Sequence, residues 1–348
     1  MRVLAGPSTL AATLFLHAAR APDSSRRRLA QLRLDTPAFV FGNDQLILGD
    51  ASGQLVLGTA RVLDAQGDRK HWQQKAQLAL LEARADAPSD AGGVTVWVQS
   101  ALARHGILAR EGFLDASSFI AGEIRTALEQ LAVAGRVVLT PDLAADPIWW
   151  RGLLARAAEA VDRAHRIHPE WVGLPLGDLH ARIEDALSLP GMFEAMLTAL
   201  GQNGFVRDGE FIRRASHHAH LPPRLEAAGA WLRHVLTEHP FEPPSRKDLT
   251  PDADAARALQ FLIETGEAVE VGPDQVLDAR AYRQAVERIV ECLRQQGQAT
   301  LSELRQRAGC PRRIMIPLCE KLDQEGLTRR EGDVRRLGTP DPPAALRF

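Results

Sequence analysis

The stretch ATLSELRQRAGCPRRIMIPLCEKLDQEGLTRREGDVRRL, Ala299–Leu337, decides the fold. Thr300 followed three residues later by Glu303 is a capping box, in which hydroxyl and carboxylate satisfy orphan N–H groups at a helix start. The helix it opens is predicted to run to about Ala308, where Gly309-Cys310-Pro311 turns the chain. A second helix follows, with Ile314, Leu318 and Leu322 on one apolar stripe. Gly326 stands just past that stripe, where a left-handed C′ residue ends a helix. TRREGDVRRL then places Glu331-Gly332-Asp333 at a hairpin tip. Helix, turn, helix, hairpin is the winged-helix unit.

Working outward, the same punctuation recurs. A leucine, a glycine four residues on and then a strand-like run occur at Leu131–Gly135, Leu200–Gly204, Leu262–Gly266 and Leu322–Gly326, with glycines 69, 62 and 60 residues apart. Each leucine closes an amphipathic stripe: Ile124/Leu128/Leu131, Met196/Leu197/Leu200 and Leu259/Leu262 precede the last. VRDGEFIRR and VEVGPDQVL add hairpin tips at Asp208-Gly209 and Gly272-Pro273-Asp274. The expected fold is mostly α with small β: four tandem winged-helix domains at 67–164, 165–221, 222–279 and 280–338. The run His217–Pro223 is expected to be a solvated linker, Ala83–Gly93 an exposed loop, and the Pro-rich tail after Leu337 frayed.

Residues 1–66 read differently. Thr9–His17, Leu29–Leu34, Gln45–Leu48 and Gln54–Asp64 are short and apolar or alternating, with turn-formers at Pro22-Asp23, Gly42-Asn43-Asp44 and Gly49-Asp50. That is a small β unit whose first strand begins almost at Met1.

Composition excludes several classes. With 348 residues, 45% of them hydrophobic, 25% charged and a net charge of −2, the chain is a folded multidomain protein and not polybasic overall. No apolar run approaches the roughly 18 residues of a membrane span, and Met1–His17, with its early Pro and Ser, is not expected to be an export signal. Cys292, Cys310 and Cys319 form no CxxC, which excludes a disulfide framework and a zinc site and points to the cytoplasm. GxxxxGK[ST], GxGxxG after a strand, HExxH and GxSxG are all absent, so neither a catalytic residue nor a cofactor or metal site is expected.

Charge is concentrated instead. Arg305–Leu337 holds nine basic residues against five acidic ones, a net +4 that leaves −6 for the rest. Arg312 and Arg313 open the second helix, where a winged helix presents donors to phosphate, aided by the positive end of the helix dipole. Arg329 and Arg330 lie on one arm of the wing and Arg335 and Arg336 on the other. Strand alternation sends one of each pair to a given face, so four or five cations converge. The third unit instead has Asp252 and Asp254 at its helix start and Glu267 and Glu270 on its wing, which suits a spacer or protein-contact module.

Other residues read as structural. His217, His218 and His220 lack a carboxylate or thiolate partner for a metal, and His165-x-x-His168 ends at Pro169. Trp149-Trp150 is expected to pack rather than stack on a base. Burial is the expected state of Cys310 and Cys319 despite basic neighbours, and Pro317 is expected to kink its helix.

The last unit resembles the final winged helix of the bacterial selenocysteine-specific elongation factor family. Arg312-Arg313, Ile316-Pro317-Leu318, Glu320, Asp323, Gly326, Thr328-Arg329 and Gly332-Asp333 with Arg335 fill that family's pattern. His168-Pro169 followed by Gly173-Leu174-Pro175 resembles its second winged helix. AQLRLDTPAF (Ala30–Phe39) and LILGDASGQLVLGTARVLD (Leu46–Asp64) resemble its last β-barrel domain, with departures at Gly49 and Gly58-Thr59-Ala60. Residues 1–66 are therefore expected to be a partial elongation-factor β-barrel.

The resemblance implies the C-terminal, RNA-binding portion of such a factor, holding an mRNA stem-loop beside an in-frame UGA. In the family, GTP with Mg and selenocysteinyl-tRNA are carried by a GTPase domain and barrels. That GTPase domain is expected to be missing, so this chain is expected to bind no cofactor and to be no enzyme. By resemblance the RNA-binding residues are Arg312, Arg313, Arg329, Arg330, Arg335 and Arg336. The implied partners are the stem-loop, the ribosome and, through barrel domains, the tRNA; a monomer away from membranes is expected. The alternative is a tandem winged-helix DNA-binding regulator or interaction scaffold, marked by a dimer on a palindromic duplex.

Overall fold

The computed structural model describes residues 1–16, 28–65, 74–88 and 91–338. Two compact units divide the chain: Met1–Ala157 with Ile183–Ala199, and Ala158–Arg182 with the chain from Leu200 onward.

The first unit opens on β1 (Arg2–Ala5), β2 (Ser8–Leu16), β3 (Ala30–Leu34), β4 (Gln45–Gly49) and β5 (Val56–Arg61), an antiparallel sheet in the order β3-β2-β1-β4-β5. Val3, Ala12 and Leu46 bury its small core, with Leu32, Leu34 and Leu48 partly buried beside them. This is half a barrel. The expected turn at Pro22-Asp23 and the expected frayed tail from residue 339 on lie outside the described residues.

A helical segment follows: α1 (Lys75–Asp86), α2 (Val94–His105), β6 (Ile107–Ala109), α3 (Ala121–Val133), β7 (Val138–Leu139) and β8 (Leu143–Ala145), with strands ordered β6-β8-β7. Trp97, Leu102, Ile124, Leu128 and Leu131 form its core. The exposed loop expected over Ala83–Gly93 is corrected in part: Ala83 to Asp86 complete α1 and Ala87 is buried, Pro88 and Gly92 are exposed, and residues 89–90 lie outside the described residues. Arg61 supplies the reason: its guanidinium donates to the carbonyls of Arg84, Ala85 and Ala87 at 2.5–2.7 Å, satisfying the end of α1. Arg84 is itself buried, 4.1 Å above the Trp97 ring and bonded to Ser100 Oγ at 2.9 Å and the Leu63 carbonyl at 2.8 Å. Burial pushes its guanidinium down to about 10, which leaves it charged at neutral pH. Gly42 closes the join, exchanging backbone bonds with Ala116 and Ser118. A Cβ there would lie 2.6 Å from Trp97, so only glycine fits.

Next come α4 (Pro147–Ile167), β9 (Leu174–Pro175), α5 (Leu176–Ile183), α6 (Met192–Gln202), β10 (Phe205–Asp208) and β11 (Phe211–Arg214), with strands ordered β10-β11-β9. The division between units passes through this repeat. Trp150 is buried and the Trp149 ring fills the space a Cβ on Gly106 would need, so this pair packs. The solvated linker expected at His217–Pro223 is corrected in part. His217 stacks on His165 at 3.7 Å and its Nε2 bonds the Trp171 carbonyl at 2.8 Å, and Leu221 is buried, although His218 and His220 are exposed. Burial and the neighbouring His217 push His165 down to about 4. Among the described residues no group of His, Cys, Asp and Glu could hold a metal ion.

The second unit continues with α7 (Pro223–Glu238), α8 (Arg246–Leu249), α9 (Ala253–Glu264), β12 (Ala268–Gly272) and β13 (Gln275–Asp278). It ends with α10 (Ala279–Gln296), β14 (Ala299–Thr300), α11 (Leu301–Ala308), α12 (Arg312–Gln324), β15 (Thr328–Glu331) and β16 (Val334–Leu337), whose strands are ordered β14-β16-β15. The β12–β13 ribbon has two apolar faces. Ala268 and Val276 join the core of α7 and α9, whereas Val269, Val271 and Leu277 join that of α10, α11 and α12. A wing buried on both faces is a packing layer, which accounts for Glu267 and Glu270 being taken up by Arg233 and Arg246 beside it. Gly135, Gly204, Gly266 and Gly326 adopt φ of +68° to +81°, the helix-ending conformation read from the repeat.

Leu322 is fully buried. Leu322→Ala is expected to cost about 2–5 kcal/mol by the cavity it leaves, and Gly326→Ala, at φ +76°, about 1–2 kcal/mol. Urea denaturation of the full chain followed by circular dichroism checks both; unchanged midpoints would contradict the packing described.

Candidate nucleic-acid interface

The site is built on α12. Thr300 and Glu303 make the capping box read from the sequence, with Thr300 N donating to Glu303 Oε2 at 2.7 Å and Glu303 N to Thr300 Oγ1 at 3.3 Å. Gly309 at φ +72° ends α11, and extended Pro311 caps α12. Ile314, Met315, Leu318, Cys319 and Leu322 are buried, so the helix turns Arg312, Arg313 and Glu320 outward. Pro317 lies within α12, which runs on to Gln324. Lacking an N–H, Pro317 leaves the Arg313 carbonyl without its helical partner. Its ring packs against Gly272, where a Cβ would stand 2.8 Å away. One guanidinium N–H of Arg313 reaches the Pro243 carbonyl at 3.4 Å, and Arg312 has no partner among the described residues.

The wing divides its arginines by strand pleat. Arg329 faces Arg336 and Arg330 faces Arg335 across β15 and β16. Arg336 and Arg329 are exposed and share Glu331, at 3.3 and 3.7 Å. Arg336 also donates to Gln298 Oε1 at 2.7 Å, and Arg330, exposed, donates to the Gly332 carbonyl at 3.1 Å. Arg335 is different. Its side chain is 8% exposed, with Nε donating to Asp323 Oδ2 at 3.0 Å. Thr328, also buried, donates to the other oxygen of the same carboxylate at 2.5 Å. Arg335 thus fastens the wing to the last turn of α12, which corrects its placement among the RNA-contacting residues: a buried cation already neutralised has nothing to offer a phosphate. Arg312, Arg313, Arg329, Arg330 and Arg336 remain on the surface.

The sequence reading missed the acceptors. Glu331 was visible as a tip acid two residues from Arg329, close enough to pair along a strand face. Gln298 and the Pro243 carbonyl carried no local signal, since both are supplied by distant chain. Surface pairs of this kind are worth about 0–1 kcal/mol, so a phosphate can displace Glu331 at little cost. Cys310 and Cys319 are buried and their thiols are pushed up to about 11 by that burial, against the pull of Arg288 and Arg335.

Residues 291–337 match the family described as elongation factor SelB, winged helix, and residues 4–69 match the β-barrel domain of the selenocysteine-specific elongation factor. The selenocysteine-specific elongation factor of Escherichia coli (strain K12) is 27% identical over 323 residues, covering 88% of this chain and 48% of that protein. The chain therefore spans about half the length of the curated relative it matches. A crystal structure of the bacterial selenocysteine-specific elongation factor EF-Sec overlays with a TM-score of 0.52 at 18% identity, covering 97% of this chain and 50% of that one. At that identity the likeness shows the fold. These two stretches, a β-barrel domain and a winged helix, are similar to SelB-family domains, and neither match is to a GTPase domain.

Arg335→Ala is expected to destabilise the chain by about 1–3 kcal/mol, because it strands the Asp323 carboxylate, whereas Arg336→Ala stays within about 0.5 kcal/mol. Thermal denaturation compares the two, and the reverse order would contradict the assignment. At pH 8 a thiol reagent is expected to label neither Cys310 nor Cys319 in the folded chain and both after unfolding.

Proposed function

We propose that the chain is the mRNA-holding portion of a selenocysteine-specific elongation factor. In this reading the last winged helix grips an RNA stem-loop next to an in-frame UGA, so that selenocysteinyl-tRNA is delivered to the ribosome. The observation that carries it is the exposed set Arg312, Arg313, Arg329, Arg330 and Arg336, inside the stretch that matches the SelB winged helix. Support also comes from the third repeat, where the equivalent wing is buried and its acids are paired.

The chemistry favours an RNA hairpin. An A-form major groove is too deep and narrow for a helix, so a winged helix grips backbone and unstacked loop bases. Arg312 and Arg313 present donors at the positive end of α12, while Arg329 and Arg336 reach phosphate from one face of the wing and Arg330, on the opposite pleat, from the exposed edge strand β15. Five contacts give log affinity against log salt a slope of about −3.5 to −4.5. Selenocysteinyl-tRNA, the ribosome and GTP with its Mg belong in this reading to the whole factor and not to the basic face.

Arg312→Ala and Arg313→Ala are each expected to cost about 1–3 kcal/mol of hairpin affinity, as for charged hydrogen bonds. Each should also flatten the salt slope by roughly 0.7–0.9. Fluorescence anisotropy with a labelled hairpin at several salt concentrations tests this, and unchanged affinity in both variants would remove α12 from the interface.

A further inference from the structure

A second concentration of positive charge lies in the second unit, well away in sequence from α12. A cavity of about 480 Å³ is lined by Arg166 and His168 at the end of α4, Arg224 in the first turn of α7, and Arg257 on α9, with Pro169 and Pro222 in its walls. No carboxylate is among its lining residues.

Arg257, His168 and Arg166 have neighbours that hold them. Arg257 binds the buried carboxylate of Glu170 through Nε at 3.0 Å and through Nη2, and Nη2 also meets His168 Nδ1 at 3.3 Å. The same Nδ1 lies 3.5 Å from Glu170 Oε1, so the His168 ring sits against both members of the Arg257–Glu170 pair. Stacking on Trp171 at 3.9 Å and 8° fixes that ring. Arg166 pairs with Glu159 at 2.7 Å, but both side chains are over 60% exposed, and such a pair yields readily to a better acceptor. Arg224 has no partner among the described residues. Its position is opposed by the dipole of α7, which disfavours a cation in the first turn; Glu226 in the same turn offsets this in part. Pro223 has no N–H to give, so the donors facing the cavity are side chains rather than a helix terminus.

Three guanidiniums and an imidazole ring surround one open cavity; Arg224 is unshared, Arg166 is held only by an exposed pair, and Arg257 shares its charge with Glu170, so the cavity offers N–H donors to a phosphate. We propose that this pocket binds a backbone phosphate of RNA outside the stem-loop. The choice of RNA as the phosphate source rests on the function proposed above. The pocket itself does not.

The experiment uses the full chain and a labelled RNA duplex without a loop, by fluorescence anisotropy across a salt series. Arg166→Ala/Arg224→Ala removes two surface cations and leaves the Arg257–Glu170 pair intact, so circular dichroism is expected to be unchanged. That variant is expected to bind the duplex about ten-fold more weakly and to lose about 1.5 from the magnitude of the salt slope. Arg166→Lys/Arg224→Lys should keep the slope. Unaltered duplex affinity would overturn the proposal. So would inorganic phosphate shifting the His168 ring resonances while duplex affinity stays unaltered, since the ligand would then be a small phosphate. Failure of the stem-loop reading is read separately, from hairpin affinity in Arg312→Ala/Arg313→Ala.

Discussion

The basic face depends on one carboxylate. Asp323, in the last turn of α12, accepts from Thr328 on β15 and from Arg335 on β16, and so ties both arms of the wing to the helix. It adds a polar tie to the packing of Leu327 and Leu337 on the core and to the β14–β16 pairing, which also hold the wing to the helix that bears Arg312 and Arg313. Its cost is one cation. Of six arginines on the helix start and wing, Arg335 is consumed as the internal counter-ion, and a buried charge with a partner is far cheaper than one without. The remaining five stay on the surface, and their own acceptors, Glu331 above all, are exposed and weakly held.

A second constraint explains why the last repeat differs from its neighbour. The β12–β13 ribbon is covered on both faces, by α7 and α9 on one side and by α10, α11 and α12 on the other. A ribbon so buried cannot serve as a wing for nucleic acid. It instead fixes α12 from behind: Pro317 seats on Gly272, and the Pro243 carbonyl orients Arg313. The same helix-turn-helix plan therefore gives a packing module in one repeat and a charged face in the next, and residue choice on two strands decides which.

Much of this was legible in the sequence, and the limits have physical causes. The four Leu-to-Gly helix ends and the Thr300–Glu303 box are local devices, each satisfied within a few residues, and every one has the conformation its spacing predicts. The hairpin of the first repeat escaped because β7 is two residues long and its turn, Thr140-Pro141-Asp142, lacks a glycine. The end of α1 was misread as a loop since its carbonyls are capped by Arg61, which is more than twenty residues away. His217 was taken for solvated linker because its partners, His165 and the Trp171 carbonyl, lie over forty residues upstream. Arg335 could be assigned to one face or the other by alternation, but only Asp323 decides which face is inside. Long-range partners are what the periodicity of a single segment cannot contain.

The central claim is that the last winged helix selects an RNA hairpin. Anisotropy of the full chain with a labelled hairpin taken from downstream of an in-frame UGA, competed with a scrambled hairpin and with duplex DNA, tests it most directly. Displacement by the unlabelled cognate hairpin at concentrations far below those needed of either competitor is the predicted result. Equal displacement by all three would reduce the basic face to non-specific attraction, and preference for duplex DNA would contradict the account and move the chain to the DNA-binding regulators.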